Sequence, residues 1–288
     1  MNENLEVPSL KCLRCHHTWI PRQPKEPKQC PACHSPYWNK PKWKGVKKVT
    51  YQDVSQDPVL SKLQRVLFKD GMQYSINMAN FSYFRLRADL LALSKNNYSQ
   101  RKENKEMLSK EEVYACKISA LTNAWQVVDS VNRLRELLRH APGIKHDTEY
   151  EMFFRQTENA EHLRDNIQHL NTQIRQFIQD KLPAWGNLAW ASKLDESDEL
   201  LLFAFVPGEL FGREDALINP VGRKITIPIG IITLISDKEV CLSDLVEIQV
   251  SRIANWLQRT QGIDFSSPAQ SMFASVVFTP NKPNSPGA

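Results

Sequence analysis

The residues that state their chemistry most plainly are Cys12-Leu-Arg-Cys15 and Cys30-Pro-Ala-Cys33. Each C-x-x-C pair can turn as a tight knuckle that points two sulfurs at one ion, and fourteen residues separate the pairs. Four thiolates complete a tetrahedral zinc site with Zn–S bonds of about 2.3 Å. No ligand position is left open, so one structural zinc is the expected cofactor, and it folds and presents the module rather than catalysing. Two disulfides or four unrelated thiols are the alternative readings of the same residues. A redox dithiol would want a βαβ pattern, which surrounds neither pair.

Basic residues gather around these cysteines. Residues 1–50 hold ten Lys/Arg and three Asp/Glu, a net of +7, whereas the other 238 hold 27 and 29, a net of −2. The excess belongs to the metal module and its exit segment, Lys40-Pro-Lys42-Trp43-Lys44-Gly-Val-Lys47-Lys48. Clustered lysines with an interleaved aromatic suit phosphate attraction combined with base stacking. Trp19, Arg22, Lys40, Lys42, Trp43, Lys44, Lys47 and Lys48 are therefore the candidate contacts to RNA or DNA. A solvated linker that keeps a small metal module soluble is the competing explanation.

Residues 11–43 resemble a rubredoxin-like zinc ribbon, whose pattern is C-x-x-C-G-x-x-W, a loop, then C-P-x-C-x-S-x-x-W. Trp19, Pro31, Ser35 and Trp38 fall where that pattern wants them. His16 and His34 stand where the ribbon commonly has Gly or another small or polar residue. The position after a knuckle often takes positive φ, which Gly accepts best and His or Asn accept less readily. The resemblance implies a metal-held fold and is silent on function.

The 288 residues are long enough for a substantial core and two or three units. After a linker, Asp57-Pro58 reads as a helix start, with a stop at Asp70-Gly71. A second helix is expected from Met72 to about Lys95, then a polar loop opening at Asn96-Asn97 and running through Glu106. Ser109-Lys-Glu-Glu112 is a capping box that opens a helix to His140, closed by Ala141-Pro142-Gly143. A fourth helix is expected from Asp147-Thr148 to about Lys181, stopped before Pro183. Four helices of this length suggest an antiparallel bundle. Beyond Pro183, short β-rich runs at 185–194, 199–206, 224–229 and 230–236 suggest a small antiparallel sheet. Ser243 reads as the N-cap of a helix to Gln261, and the chain from Phe265 reads as a disordered tail. The expected class is α+β: a ribbon with its exit segment at 1–49, a helical bundle at 57–182, a small sheet with a helix at 183–262 packed on it, and a tail at 263–288.

The fourth helix carries a second possible chemistry. Leu163, Ile167, Leu170, Ile174 and Phe177 form its core stripe. Beside that stripe lies Arg164-Asp-Asn-Ile-Gln-His169, an Arg-x4-His. This resembles the motif of HEPN-type ribonucleases, helical bundles that dimerise and cleave RNA without metal. The resemblance implies Arg164 as a phosphate clamp and His169 as the acid/base, with Asp129, Arg133 and Arg135 of the preceding helix lining the same cleft. Arg135 to His140, Arg139 to His146 and Arg155 to His162 have similar spacing, so the motif alone is not specific. On an uninterrupted helix, positions five apart lie about 140° apart, so Arg164 and His169 flank the stripe and meet only through long reach, a distorted helix or a second copy. A solvated flank, with Arg164 on a nearby carboxylate, is the plainer reading.

No P-loop, dinucleotide glycine motif, H-E-x-x-H or G-x-S-x-G is present. No apolar run approaches the roughly 20 residues of a membrane span, the polar start is no signal peptide, and Cys116 and Cys241, isolated in the sequence, suit a reducing compartment, so a cytoplasmic protein is expected. The leading expectation is zinc-dependent nucleic-acid binding with a helical body for assembly or regulation, including a homodimer through the helices. A HEPN-like ribonuclease and a protein-interaction ribbon are the two alternatives.

Overall fold

A computed structural model describes residues 9–19, 27–40, 58–103, 105, 107–194, 200–208 and 228–265. The chain divides into two compact units, Met1–Ser61 and Lys62–Ala288. It is an α+β protein with two small antiparallel sheets.

In the first unit a two-stranded ribbon pairs β1 (Leu10–Lys11) with β2 (Thr18–Trp19), Leu10 facing Trp19 and Lys11 facing Thr18. So small a unit has little apolar mass to bury. Its core is Cys12, Cys30 and Trp38, with Leu10 and Trp19 packed against them.

In the second unit, the expected break at Asp70-Gly71 does not occur. Helix α1 runs without interruption over Pro58–Glu103. A mid-helix glycine costs about 1 kcal/mol relative to alanine, and tertiary packing outweighs that here. A Cβ on Gly71 would lie 3.1 Å from Leu137 Cδ1, so the missing side chain admits the neighbouring helix α2 (Lys110–His140). Asn96-Asn97 likewise lies within α1. The Asn96 amide oxygen accepts the backbone N–H groups of Met107 and Leu108 at 3.0 and 2.9 Å, closing the return of the chain from inside the helix. The capping box forms as expected, Ser109 and Glu112 each accepting the other's backbone N–H.

The expected single helix at 147–181 is divided into α3 (Thr148–Gln156), α4 (Glu158–Gln168) and α5 (Leu170–Gln179). Asp147 caps α3 through the N–H groups of Glu149 and Tyr150. At the first break the Thr157 hydroxyl donates to the Phe153 carbonyl at 2.7 Å and accepts from the buried Arg135 guanidinium. Side-chain competition of this kind bends helices. Arg135 also donates to the Phe154 carbonyl and pairs with Glu161, while Arg139 holds Glu161 from its other side. Arg135 therefore fastens the bend to α2 and does not line a cleft. The second break falls at His169, with φ −105° and ψ 17°.

The larger sheet has the order β4-β3-β5-β6, all antiparallel, from β3 (Asn187–Ser192), β4 (Leu201–Phe205), β5 (Ile229–Ile235) and β6 (Glu239–Cys241). Of the strand expected at 224–229, residues 224–227 lie outside the described residues, and Ile229 opens β5. The short β6 was not expected. A register shift opposite Trp190/Ala191 leaves Ile231 at φ 27°, a costly conformation for a β-branched residue, held in a strand buried from Ile229 through Leu234.

Ser243 is not an N-cap. It lies within a short helix α6 (Leu242–Asp244), and its Oγ accepts the Ile232 N–H at 3.0 Å, tying helix to sheet. A π-helical turn, Leu245–Val250, leads into α7 (Ser251–Gln261). One apolar core takes Leu86 and Leu90 of α1, Leu134 and Leu138 of α2, Leu163 of α4, Leu188 and Ile232 of the sheet and Leu257 of α7. Ile263 is buried in that core, Phe265 packs on it, and Gln73 donates to the Asp264 carbonyl. Residues 263–265 thus belong to the body and not to the expected tail; residues 266–288 lie outside the described residues. No helix is long and apolar enough to cross a membrane among the described residues.

Candidate metal centre and the groove of the helical body

The two knuckles are built alike. The Cys12 N–H donates to the His17 carbonyl and the His16 N–H returns to the Cys12 carbonyl; Cys30, Ser35 and His34 repeat the arrangement. Closing each turn requires a left-handed residue, and His16 (φ 62°) and His34 (φ 54°) supply it. This is the conformation expected where the ribbon pattern commonly has glycine.

The result is a cluster of four sulfurs within 4.8 Å of one another. Cys12 Sγ lies 3.8 Å from Cys33 Sγ, and Cys15 Sγ lies 3.7 Å from Cys30 Sγ. A tetrahedron with metal–sulfur bonds of about 2.3 Å has edges of roughly 3.8 Å, so the spacing fits one ion. It is far from the S–S bond of about 2.05 Å that a disulfide needs. Two sulfurs are buried and two exposed, and the Arg14 N–H donates to Cys12 Sγ at 3.4 Å. At Cys12 desolvation, the largest influence, raises the thiol pKa. The N–H groups of Cys15 and Arg14 and the neighbouring thiols of Cys15 and Cys30 outweigh it and bring it to about 7. At Cys15 the His17 N–H acts to lower the pKa, but desolvation and the sulfurs of Cys33, Cys12 and Cys30 push it up to about 12. Four thiolates this close repel one another, and a cation relieves that repulsion. These four cysteines can bind a metal ion.

Trp19 is half-buried in the ribbon core, edge-on to Trp38 at 5.0 Å and stacked on His17 at 6.0 Å. Trp38 is 6% exposed and its indole N–H donates to the Pro27 carbonyl. Among the described residues of the ribbon, Tyr37 presents an exposed phenol ring, at 54%. The Arg14 guanidinium lies 5.4 Å from its ring centroid and the Lys40 ammonium 5.7 Å, while Arg14 Nε donates to the Tyr37 carbonyl. The sequence reading missed Tyr37 and Arg14, although a Tyr beside an invoked Trp and Lys was the available signal. Arg22, Lys42, Trp43, Lys44, Lys47 and Lys48 lie outside the described residues.

In the body, Arg164 lines a groove of about 440 Å³ with Leu121, Trp125, Asp129, Ile167 and Trp185. The Trp125 indole N–H donates to the Trp185 carbonyl at 2.9 Å, which holds one wall. Arg164 Nε lies 3.6 Å from Asp129 and its Nη1 3.6 Å from Asp165, and the buried Nε makes no hydrogen bond among the described residues. Asp129 lines the groove as expected. Arg133 pairs with Asp129 at 2.6 Å, and Arg135 is turned away into its buried network. His169 is exposed and is not among the residues lining the groove. Searches against protein-family models, curated proteins and solved structures find no match for this chain.

Proposed function

We propose that the chain is a zinc-dependent nucleic-acid-binding protein. Cys12, Cys15, Cys30 and Cys33 would hold one structural zinc, in keeping with a rubredoxin-like ribbon, and the ion supplies the folding energy that the small core lacks. The observation that carries the reading is Tyr37, an exposed ring flanked by Arg14 and Lys40. A ring with two cations beside it offers a nucleobase a stacking face and its phosphates a counter-charge. The lysines and Trp43 of the exit segment extend the same chemistry. Anisotropy titrations of labelled single-stranded RNA and DNA against the full chain test it. Affinity falls steeply with salt, and Tyr37→Ala costs about 1–3 kcal/mol, the usual worth of one base–aromatic stack. Salt-insensitive or undetectable binding favours a ribbon that contacts proteins instead.

A second reading, a HEPN-like metal-independent ribonuclease, is favoured by one observation. The chain turns at His169, so the angle of about 140° on an uninterrupted helix does not hold Arg164 and His169 apart. Arg164 would stabilise phosphate charge from the groove and His169 would transfer the 2′-hydroxyl proton. A brief incubation of mixed RNA in EDTA, short enough to leave the ribbon loaded, decides it. Cleavage to 2′,3′-cyclic ends that His169→Ala and Arg164→Ala abolish supports the enzyme; no cleavage removes it.

A further inference from the structure

The groove between α2 and α4 is walled by apolar side chains and closed over two charges that are only half matched. Leu121, Trp125 and Asp129 stand four residues apart on one face of α2, and Arg164 and Ile167 of α4 line the groove with them. Trp185, 53% exposed, completes the wall that the Trp125 indole holds. The volume of about 440 Å³ lies within the ~300–1,000 Å³ of small-molecule sites, which combine apolar walls with a few placed polar groups.

Those polar groups are unusual in what they lack. The Arg164 side chain is only 29% exposed, yet its guanidinium makes no hydrogen bond among the described residues, and Asp129 and Asp165 both stand off at 3.6 Å. Asp129 Oδ2 accepts from Arg133 Nε at 2.6 Å, whereas Oδ1 makes no hydrogen bond among the described residues. Charged groups left unmatched away from water are costly, and a ligand that matches them recovers that cost. The charges also balance, Arg133 and Arg164 against Asp129 and Asp165. A lone anion on Arg164 would meet Asp129, and a lone cation on Asp129 would meet Arg164. A ligand that carries both charges side by side meets neither penalty. Arg164 Nε and Asp129 Oδ1 are 3.6 Å apart, so the two charges of the ligand must be adjacent as well. An α-amino acid sets its ammonium and carboxylate on one carbon, whereas a peptide separates them.

We propose that this groove binds a free α-amino acid with a large apolar side chain. Arg164 takes the carboxylate, Asp129 takes the ammonium, and the side chain lies along Leu121, Trp125, Ile167 and Trp185. The site depends on neither functional reading above. It shares Arg164 with the ribonuclease reading, but binding and cleavage are measured separately, so either can fail alone.

Isothermal titration of the zinc-loaded full chain with L-phenylalanine tests it. Saturable one-to-one binding is expected, with L-leucine competing. Hydrocinnamate lacks the ammonium and phenethylamine lacks the carboxylate. Each should bind about 10- to 100-fold more weakly, the loss of one charge-assisted hydrogen bond. Arg164→Gln and Asp129→Asn should weaken phenylalanine by a similar factor. Because Asp129→Asn also loosens Arg133, Trp185→Ala supplies a variant that leaves the charges alone. The Trp185 side chain is exposed and its carbonyl still holds Trp125, so binding should fall while the melting curve stays in place. No saturable binding of either amino acid at millimolar concentration overturns the site. Hydrocinnamate or phenethylamine binding as tightly as phenylalanine overturns the paired-charge recognition, and binding unchanged by Trp185→Ala overturns the assignment to this groove.

Discussion

The two units reach a defined structure by different physics. The ribbon converges on three core residues, two of them cysteines, and its turns point sulfurs rather than methyl groups inward. The body buries leucines from helices and sheet alike, and sets the buried polar pair Arg135 and Thr157 where the chain bends. A unit too small to gain enough from the hydrophobic effect must draw its stability from coordination, and a unit with a large core need not. The ribbon's fold should then be lost with its metal while the body keeps its own.

The largest expected effect breaks the comparison at the ribbon. Cys30→Ser removes one buried sulfur of four and should abolish stoichiometric zinc. Metal analysis reads that loss, and amide spectra read the unfolding of residues 9–40, while body resonances stay in place. Structural zinc in small modules is worth about 10–16 kcal/mol, so no compensation is expected. Cys116→Ser should leave the zinc content unchanged.

Next comes the bend in the body. Arg135→Ala leaves Arg139 to hold Glu161 but strips Thr157 and the Phe154 carbonyl of their donor. Breaking a buried pair costs about 3–5 kcal/mol, and the low end is expected here. Urea denaturation checks it, with zinc content unaltered. The helix cap is smaller: Ser109→Ala should cost about 1 kcal/mol by the same measurement.

Acid gives the finest test. The Arg139 hydrogen bond, followed by burial acting the other way and then the Arg135 charge, holds the Glu161 carboxyl below its usual range. A depressed carboxyl contributes stability that is present above the unfolded pKa and lost as pH falls through the folded one. Glu161→Gln should therefore lower the body's stability near neutrality, where that contribution is present, and flatten the loss on acidification, so that the two proteins converge on the acid side of the ordinary glutamate range. Melting curves across that range check it.

How far the sequence could be read follows the same division. The ribbon was legible because cysteine spacing is itself the geometry of the site, down to the left-handed histidines after each knuckle. In the body, local signals located Ser109 and Asp147 as caps. Gly71 misled, because what decides it is Leu137, 66 positions away and invisible to any local window. Thr157 and His169 hid two bends inside a continuous amphipathic stripe, and the partner that explains Thr157 lies on another helix. Ser243 looked like a cap because a cap and a sheet anchor use the same hydroxyl. The groove of Trp125 and Trp185 was missed because nothing local links two tryptophans 60 residues apart until the backbone carbonyl that joins them is seen. Tyr37 was overlooked because two tryptophans in the same segment drew the argument.

The most direct measurement compares zinc-loaded and zinc-stripped full chain in one low-salt titration with labelled single-stranded RNA, the body's melting followed in parallel. The account predicts that binding is lost with the metal and regained on adding zinc, while the body's transition does not move. Equal binding by both forms would contradict it.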